Sequence, residues 1–210
     1  MYRLLMVDDH ALVRRGLRSI LEEELPGVTV EEAGDARAGL EALHRNLPDA
    51  VVLDIGLPDR SGLDLLKRIR QEWPELPVLI LSMYDEEQYG LRVMRAGASG
   101  YLTKSSAPEH LVQAIQRILH GGRYVSPDLA ESLASHLRGE TREEPHGTLS
   151  DREFQVLRLI ASGHSVSDIA RELCLSVKTV STHRTRILKK MRLRNNAELT
   201  HYAISRRLVD

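Results

Sequence analysis

Five short, unbroken apolar runs recur in the first half of the chain: Leu4–Val7, Val28–Val30, Ala50–Leu53, Val78–Leu81 and Gly100–Leu102. A strand with one wet face alternates apolar and polar side chains. An unbroken run implies burial on both faces, as in the interior of a parallel sheet. Between the runs lie amphipathic stretches, Ala11–Glu24, Ala36–Asn46, Gly62–Glu72, Glu86–Arg95 and Pro108–His120. Leu63, Leu66 and Ile69, and again Ile115, Ile118 and Leu119, follow helical spacing. Such βα units predict an α/β domain over residues 1–121, a doubly wound five-stranded parallel sheet with helices on both faces.

Ligands in such sheets bind at the carboxyl ends of the strands. Asp8 and Asp9 follow the first run, Asp54 closes the third, Ser82 the fourth, and Lys104 follows the fifth. Topology therefore gathers three carboxylates, a hydroxyl and an ammonium at one edge. Crowded carboxylates repel, and a hard divalent cation with oxygen ligands relieves the repulsion. Mg²⁺ suits a site of few carboxylates completed by waters and a phosphate. Ser82 and Lys104 are then placed to hold a phosphoryl group. Singly, each residue also has a plain structural reading: Asp8 and Asp9 as turn residues or helix caps, Asp54 as a strand-end cap, Lys104 as a solvated cation. Five such coincidences at the strand ends of one sheet favour the site.

The motifs VDDH, VVLDIGLPDRSGLDLL, ILS and GYLTK resemble the receiver domain of bacterial two-component response regulators, which has a flavodoxin-like fold. The resemblance runs from Tyr2 to Gly121. It implies that Asp54 accepts a phosphoryl group from a histidine kinase, with Asp8, Asp9, Asp54 and the backbone carbonyl of Gly56 around Mg²⁺. It implies further that Ser82 and Lys104 bind phosphoryl oxygens and that Tyr101 turns inward on activation. Phosphorylation adds nearly two negative charges and strong acceptors. Pulling Ser82 and Lys104 onto them is expected to shift the face formed by residues 86–95, 100–102 and 108–120. One departure is Ser105, where many receivers carry proline after the lysine.

From Gly121 the character changes. Residues 122–147 hold Gly-Gly, Ser-Pro, a short helical stretch at Asp128–Leu137 and then RGETREEPHG, and read as a linker. Residues 148–210 form a basic segment with 12 basic and 6 acidic side chains, on a chain whose formal net charge is −1. That asymmetry points to a polyanionic partner for this segment alone. Four helices are predicted there, an all-α four-helix domain, at about 151–162, 166–173, 177–191 and 196–206. Ser150 and Glu153 have capping-box spacing, and Ser165 with Asp168 repeats it. Two short helices joined by the turn Cys174-Leu175-Ser176 make a helix-turn-helix, whose second member enters the major groove of double-stranded DNA.

On residues 177–191, Val180, Ile187 and Met191 fall on one line with Leu188 at its flank, the side to be buried. Opposite lie Lys178, Thr182, Thr185 and Lys189, flanked by Thr179, Ser181 and Arg186. Hydroxyls at the centre suit base edges and cations at the ends suit phosphates. His183, at the edge of the buried stripe, reads as packing or a phosphate contact. The segments LSDREFQVLRLIASG, SVSDIA and SVKTVSTHRTRILKKM resemble the LuxR-type helix-turn-helix of NarL/FixJ regulators, from Thr148 to Arg207. The resemblance implies that Ser181, Thr182 and Thr185 read bases and that Lys178, Arg186, Lys189 and Lys190 contact phosphates. It also implies a homodimer of the active protein on an inverted repeat, held by the final helix.

The same features exclude other classes. No apolar run approaches the ~18–20 residues of a membrane span, and MYRLLMVDDH turns acidic too soon for a signal peptide. The lone Cys174 cannot form an internal disulfide, which suits a reducing cytoplasm; its leucine neighbours predict a small buried hydrophobe. Haloacid-dehalogenase-type phosphatases share the Asp nucleophile and Mg²⁺ but carry a second Asp two residues on, where this chain has Gly56. Turnover of an external substrate is therefore not expected. A constitutive DNA-binding protein with an inert receiver is the other alternative, against which the complete acidic set argues.

Overall fold

The computed structural model describes residues 1–210 except 60, 85, 139–143, 207 and 210, and it divides into two compact units, Met1–Arg138 and Gly139–Asp210. In the first unit β1 (Tyr2–Val7), β2 (Val28–Ala33), β3 (Ala50–Asp54), β4 (Val78–Ser82) and β5 (Gly100–Thr103) pair in the order β2-β1-β3-β4-β5. Every pairing is parallel. Helices α1 (Ala11–Glu24), α2 (Ala36–Arg45), α3 (Gly62–Glu72), α4 (Glu86–Arg95) and α5 (Ala107–Leu119) alternate with the strands, as expected. β3 and β4 are buried along their whole length. β2 runs on through Glu31 and Glu32 to Ala33, beyond its apolar run. It lies at the sheet edge, where polar side chains can point to water, so an apolar run understates its length.

The turns that hold the strand ends use side-chain oxygens. Asp35 caps α2, accepting from Ala38 N–H at 2.7 Å, and Ser61 caps α3, accepting from Leu63 N–H at 3.3 Å. Asp59, in the loop after β3, accepts from the backbone N–H groups of Ala36 and Arg37 at 2.9 and 3.0 Å. It thus ties the loop beside Asp54 to the start of α2.

The expected 122–147 linker is not separate along its whole length. Tyr124 accepts from Tyr101 N–H at 3.0 Å and donates to the Ser99 carbonyl at 2.9 Å, extending the β5 edge. Helix α6 (Pro127–Leu137) then packs on α4. Leu129 is buried there, where a Cβ on Gly90 would come within 2.8 Å of it. Residues 122–138 therefore belong to the first unit, because Tyr124 completes a sheet edge and Leu129 an apolar patch. The RGETREEPHG stretch expected as the exposed linker includes 139–143, which lie outside the described residues.

The second unit holds α7 (Asp151–Ala161), α8 (Val166–Glu172), α9 (Val177–Met191) and α10 (Asn196–Ser205), preceded by a 3₁₀ turn at Pro145–Thr148. Phe154, Leu157, Ile169, Val180, Ile187, Leu199 and Ala203 form its core. The capping box at Ser150 is complete in both directions. At Ser165 the hydroxyl accepts from Asp168 N–H at 3.2 Å and donates to the Asp168 carboxylate at 2.6 Å. The cap survives the shorter acid, but the return bond goes to the hydroxyl instead of the backbone. Gly163 ends α7 at φ +87°. Cys174 ends α8 in the same left-handed way, at φ +51°, and is exposed. Its neighbours suggest burial, but the left-handed turn swings its Cβ outward. Among the described residues no helix is long and apolar enough to cross a membrane.

Candidate functional site

The carboxyl edge of the first sheet brings the expected residues together. Asp8 and Asp54 are buried at 1% and 3% exposure, and Ser82 is fully buried. Lys104 reaches across from the β5–α5 turn, its Nζ 2.7 Å from Asp8 Oδ2 and 2.7 Å from Asp54 Oδ2. The Asp8 contact is an ion pair without a well-aligned hydrogen bond. Gly56 N–H donates to Asp54 Oδ1 at 3.1 Å, and a Cβ at Gly56 would stand 3.5 Å from Asp54 Oδ2. The Asp54 carboxylate is thus left uncovered on that side. Burial, with Asp8 adding to it, holds the Asp54 carboxyl above its ordinary range despite the Lys104 ammonium. Burial also acts to lower Lys104, but the Asp54 and Asp8 carboxylates outweigh it and the ammonium is strengthened.

Two buried carboxylates, Asp8 and Asp54, and the exposed Asp9 beside them against one ammonium leave an excess of negative charge, which a dication would neutralise. The ligand atoms of Asp8, Asp9, His10 and Asp54 lie within 4.8 Å of one another. Asp8 Oδ2, buried and lacking a well-aligned donor, is the kind of atom a metal ion satisfies. The donor set fits a hard cation.

Tyr101 is turned inward, 2% exposed, and its hydroxyl donates to the Tyr84 carbonyl at 2.6 Å. Tyr84 N–H donates to Ser82 Oγ at 3.1 Å, and its ring stacks on Tyr89 of α4 at 4.8 Å. The hydroxyl at the pocket, the inward tyrosine and α4 are therefore joined through one short loop. After Lys104, Ser105 stands in a trans peptide turn closed by Thr103, whose Oγ1 contacts Ser105 Oγ and Ser106 Oγ at 2.9 Å each.

In the second unit Val180, Ile187 and Met191 are buried, and Lys178, Ser181, Thr182, Thr185, Arg186 and Lys189 are exposed. The Thr182 and Thr185 hydroxyls donate to the Lys178 and Ser181 carbonyls at 2.9 and 3.0 Å. Their lone pairs stay open as acceptors. Lys190 has a structural partner as well. Its ammonium is 2.6 Å from buried Glu153 and 3.4 Å from the Thr148 carbonyl, so it supports the capping box of α7 while its side chain stays 41% exposed. His183 is half-buried with Nδ1 unpartnered among the described residues. Burial, helped by Arg186 and Arg152 and opposed by Glu153, lowers its pKa, so it packs as a neutral ring.

The family model of the response regulator receiver domain matches residues 4–116, and that of bacterial regulatory proteins of the luxR family matches 147–203. The chain belongs to the NarL/FixJ family of response regulators. This response regulator is 38% identical to UvrY of Escherichia coli K12, over 97% of this chain and 94% of that one. It is 36% identical to GacA of Pseudomonas aeruginosa, over 100% and 99%. Its fold is similar to that of RcsB of Salmonella enterica serovar Typhimurium bound to promoter rprA, with TM-score 0.65, 28% identity and coverage of 98% and 100%.

Two features of the response regulator escape sequence reasoning. Asp59 caps a helix start 22 residues or more away in sequence, which no local pattern announces. His10 joins the acidic cluster, and the only signal for it is its place directly after Asp8-Asp9.

The Glu153–Lys190 pair supports a stability prediction. Burial alone would raise the Glu153 carboxyl, but Lys190 and the Ser150 backbone outweigh it and hold it below its ordinary value of 4.5. A depressed carboxyl stabilises the fold above the unfolded-state pKa and loses that contribution as pH falls through the folded one. Lys190→Met is expected to lower the unfolding free energy of this domain at pH 7, read from urea transitions, by about 1–3 kcal/mol, discounted because Lys190 is partly exposed. The deficit should shrink below pH 4.5. A variant as stable as wild type at pH 7 would show that the pair contributes nothing.

Proposed function

We propose that Asp54 takes a phosphoryl group from a histidine kinase and that the modification controls sequence-specific DNA binding and transcription. The observation that carries the reading is a buried strand-end carboxylate with an ammonium 2.7 Å away and a second buried carboxylate beside it. In the proposal Asp54 Oδ is the nucleophile and Lys104 exchanges its carboxylate partners for phosphoryl oxygens, with Ser82 Oγ as a second donor. Asp8, Asp9, Asp54 and the Gly56 carbonyl would hold Mg²⁺, which when bound neutralises the pocket and the incoming phosphoryl charge. Tyr101 and the Tyr84 loop carry the change to α4. The two functional parts are residues 1–121 and 148–210, and the cytoplasm is the compartment of action.

RcsB has been captured with promoter DNA and as dimers on DNA, which supports a homodimer of this chain on double-stranded DNA with an inverted repeat. Ser181, Thr182 and Thr185 are the proposed base readers, and Lys178, Arg186, Lys189 and Lys190 the phosphate contacts. No external substrate is turned over. Incubation with acetyl phosphate and Mg²⁺ tests the acceptor and its control of DNA binding. One phosphoryl group per chain with tighter operator binding is expected; steady turnover would indicate an enzyme, and no labelling an inert receiver.

The two kinds of DNA contact carry separate signatures. Lys189→Ala should weaken operator and random DNA alike and lower the salt slope by about one unit. Thr182→Ala or Thr185→Ala should cost on the order of 1–3 kcal/mol on the operator alone, with the salt slope unchanged. Salt titrations of each variant on both DNAs decide between them. Threonine variants that lose random-DNA binding equally would make this face a backbone grip.

A further inference from the structure

We propose that His10 makes the acidic pocket a mixed nitrogen–oxygen metal site, adding an imidazole that selects for first-row transition dications over magnesium. The proposal rests on the reading of this pocket as a metal centre. His10 is the residue before α1, and its side chain makes no cap to that helix. The ring turns to the carboxylates instead. Its Nδ1 is 2.7 Å from Asp9 Oδ1, 3.2 Å from Asp8 Oδ1 and 3.4 Å from Lys104 Nζ. One ligand atom from each of Asp8, Asp9, His10 and Asp54 fits within 4.8 Å of the others. Asp8 Oδ2, on a side chain 1% exposed, has the Lys104 ammonium 2.7 Å away but no well-aligned hydrogen bond, so a second cation can share it.

The chemistry follows from ligand type. Mg²⁺ is hard, favours oxygen and sheds water reluctantly, so a nearby imidazole adds little to its binding. Mn²⁺, Co²⁺, Ni²⁺ and Zn²⁺ accept imidazole nitrogen readily, and affinity rises from Mn²⁺ through Co²⁺ to Ni²⁺. Three successive residues, Asp8, Asp9 and His10, would chelate from one loop, with Asp54 from the neighbouring strand. The His10 side chain is 57% exposed, which leaves the ring able to reorient onto an incoming ion. If the imidazole only donates a hydrogen bond to Asp8 or Asp9, its removal affects all cations alike.

Full-length protein is titrated with Co²⁺ and separately with Mg²⁺, following the backbone amide signal of Gly56, which reports this pocket and not the distant histidines. His10→Phe is compared with wild type; the exposed ring can be replaced without disturbing the core. The expected result is Co²⁺ affinity about tenfold weaker in the variant and Mg²⁺ affinity unchanged within about twofold. Equal loss for both ions, or no change for either, would overturn the role of His10 while leaving the metal centre standing. Failure of both ions to shift Gly56 in wild type would overturn the metal centre itself.

Discussion

Asp54→Asn is expected to abolish phosphoryl labelling by acetyl phosphate while the receiver stays folded. The amide matches the carboxylate in size, so the buried end of β3 keeps its packing. It is not a nucleophile at neutral pH, and no equivalent acidic residue ends a neighbouring strand. Asp8 is buried too, but it follows β1 and shares its carboxylate between His10 N–H at 2.7 Å and Lys104. The substitution has a second consequence with a definite sign. Burial raises the folded-state pKa of Asp54, so its ionised form opposes folding at every pH above the ordinary value of 3.8. Removing the charge should raise the urea midpoint of the metal-free receiver at pH 7, and the gain should vanish as pH falls toward 3.8. Labelling of the Asn variant at the wild-type level would sink the assignment of the acceptor. An unchanged or lowered midpoint would mean that the Lys104 pair outweighs the cost of burial.

Gly62→Ala should be the most damaging single methyl in the receiver. A Cβ at Gly62 would sit 2.0 Å from the Asp54 carbonyl oxygen and 2.9 Å from both the Asp54 carbonyl carbon and the Ile55 Cα. All three atoms are backbone and cannot rotate aside as a side chain would. Gly62 N–H also donates to the Ile55 carbonyl at 3.0 Å, which fixes the close approach of α3 to the end of β3. Relief requires α3 or the acceptor strand to move. A loss of about 3 kcal/mol or more is expected in the denaturant transition of the receiver, with labelling of Asp54 impaired in the fraction still folded. Retention of the wild-type midpoint would show that α3 slides on β3 freely. Gly39→Ala provides the contrast. Its nearest neighbours would be Val7 side-chain carbons at 3.1 and 3.2 Å, which can give.

Much of this was legible because it depends on local pattern and on topology. Unbroken apolar runs imply a parallel sheet, and a parallel sheet puts the residues that follow each run on one edge. Asp8, Asp54, Ser82 and Lys104 could therefore be assembled from topology alone. The buried stripe of α9, Val180, Ile187 and Met191, was legible from helical spacing, as was the Ser150 capping box. The tertiary structure alone decided what depends on contacts between distant segments. Lys190 looks like any exposed cation in sequence, and only the buried Glu153 of α7 makes it a structural partner. Residues 122–138 have the composition of a linker, yet Tyr124 and Leu129 find a sheet edge and a helix face that composition cannot reveal. Cys174 sits between leucines, but a left-handed backbone turn sends it to solvent. Spacing along a chain specifies which side of an element a residue occupies; what stands opposite that side is set by packing, and packing decided whether each charge was free or already paired.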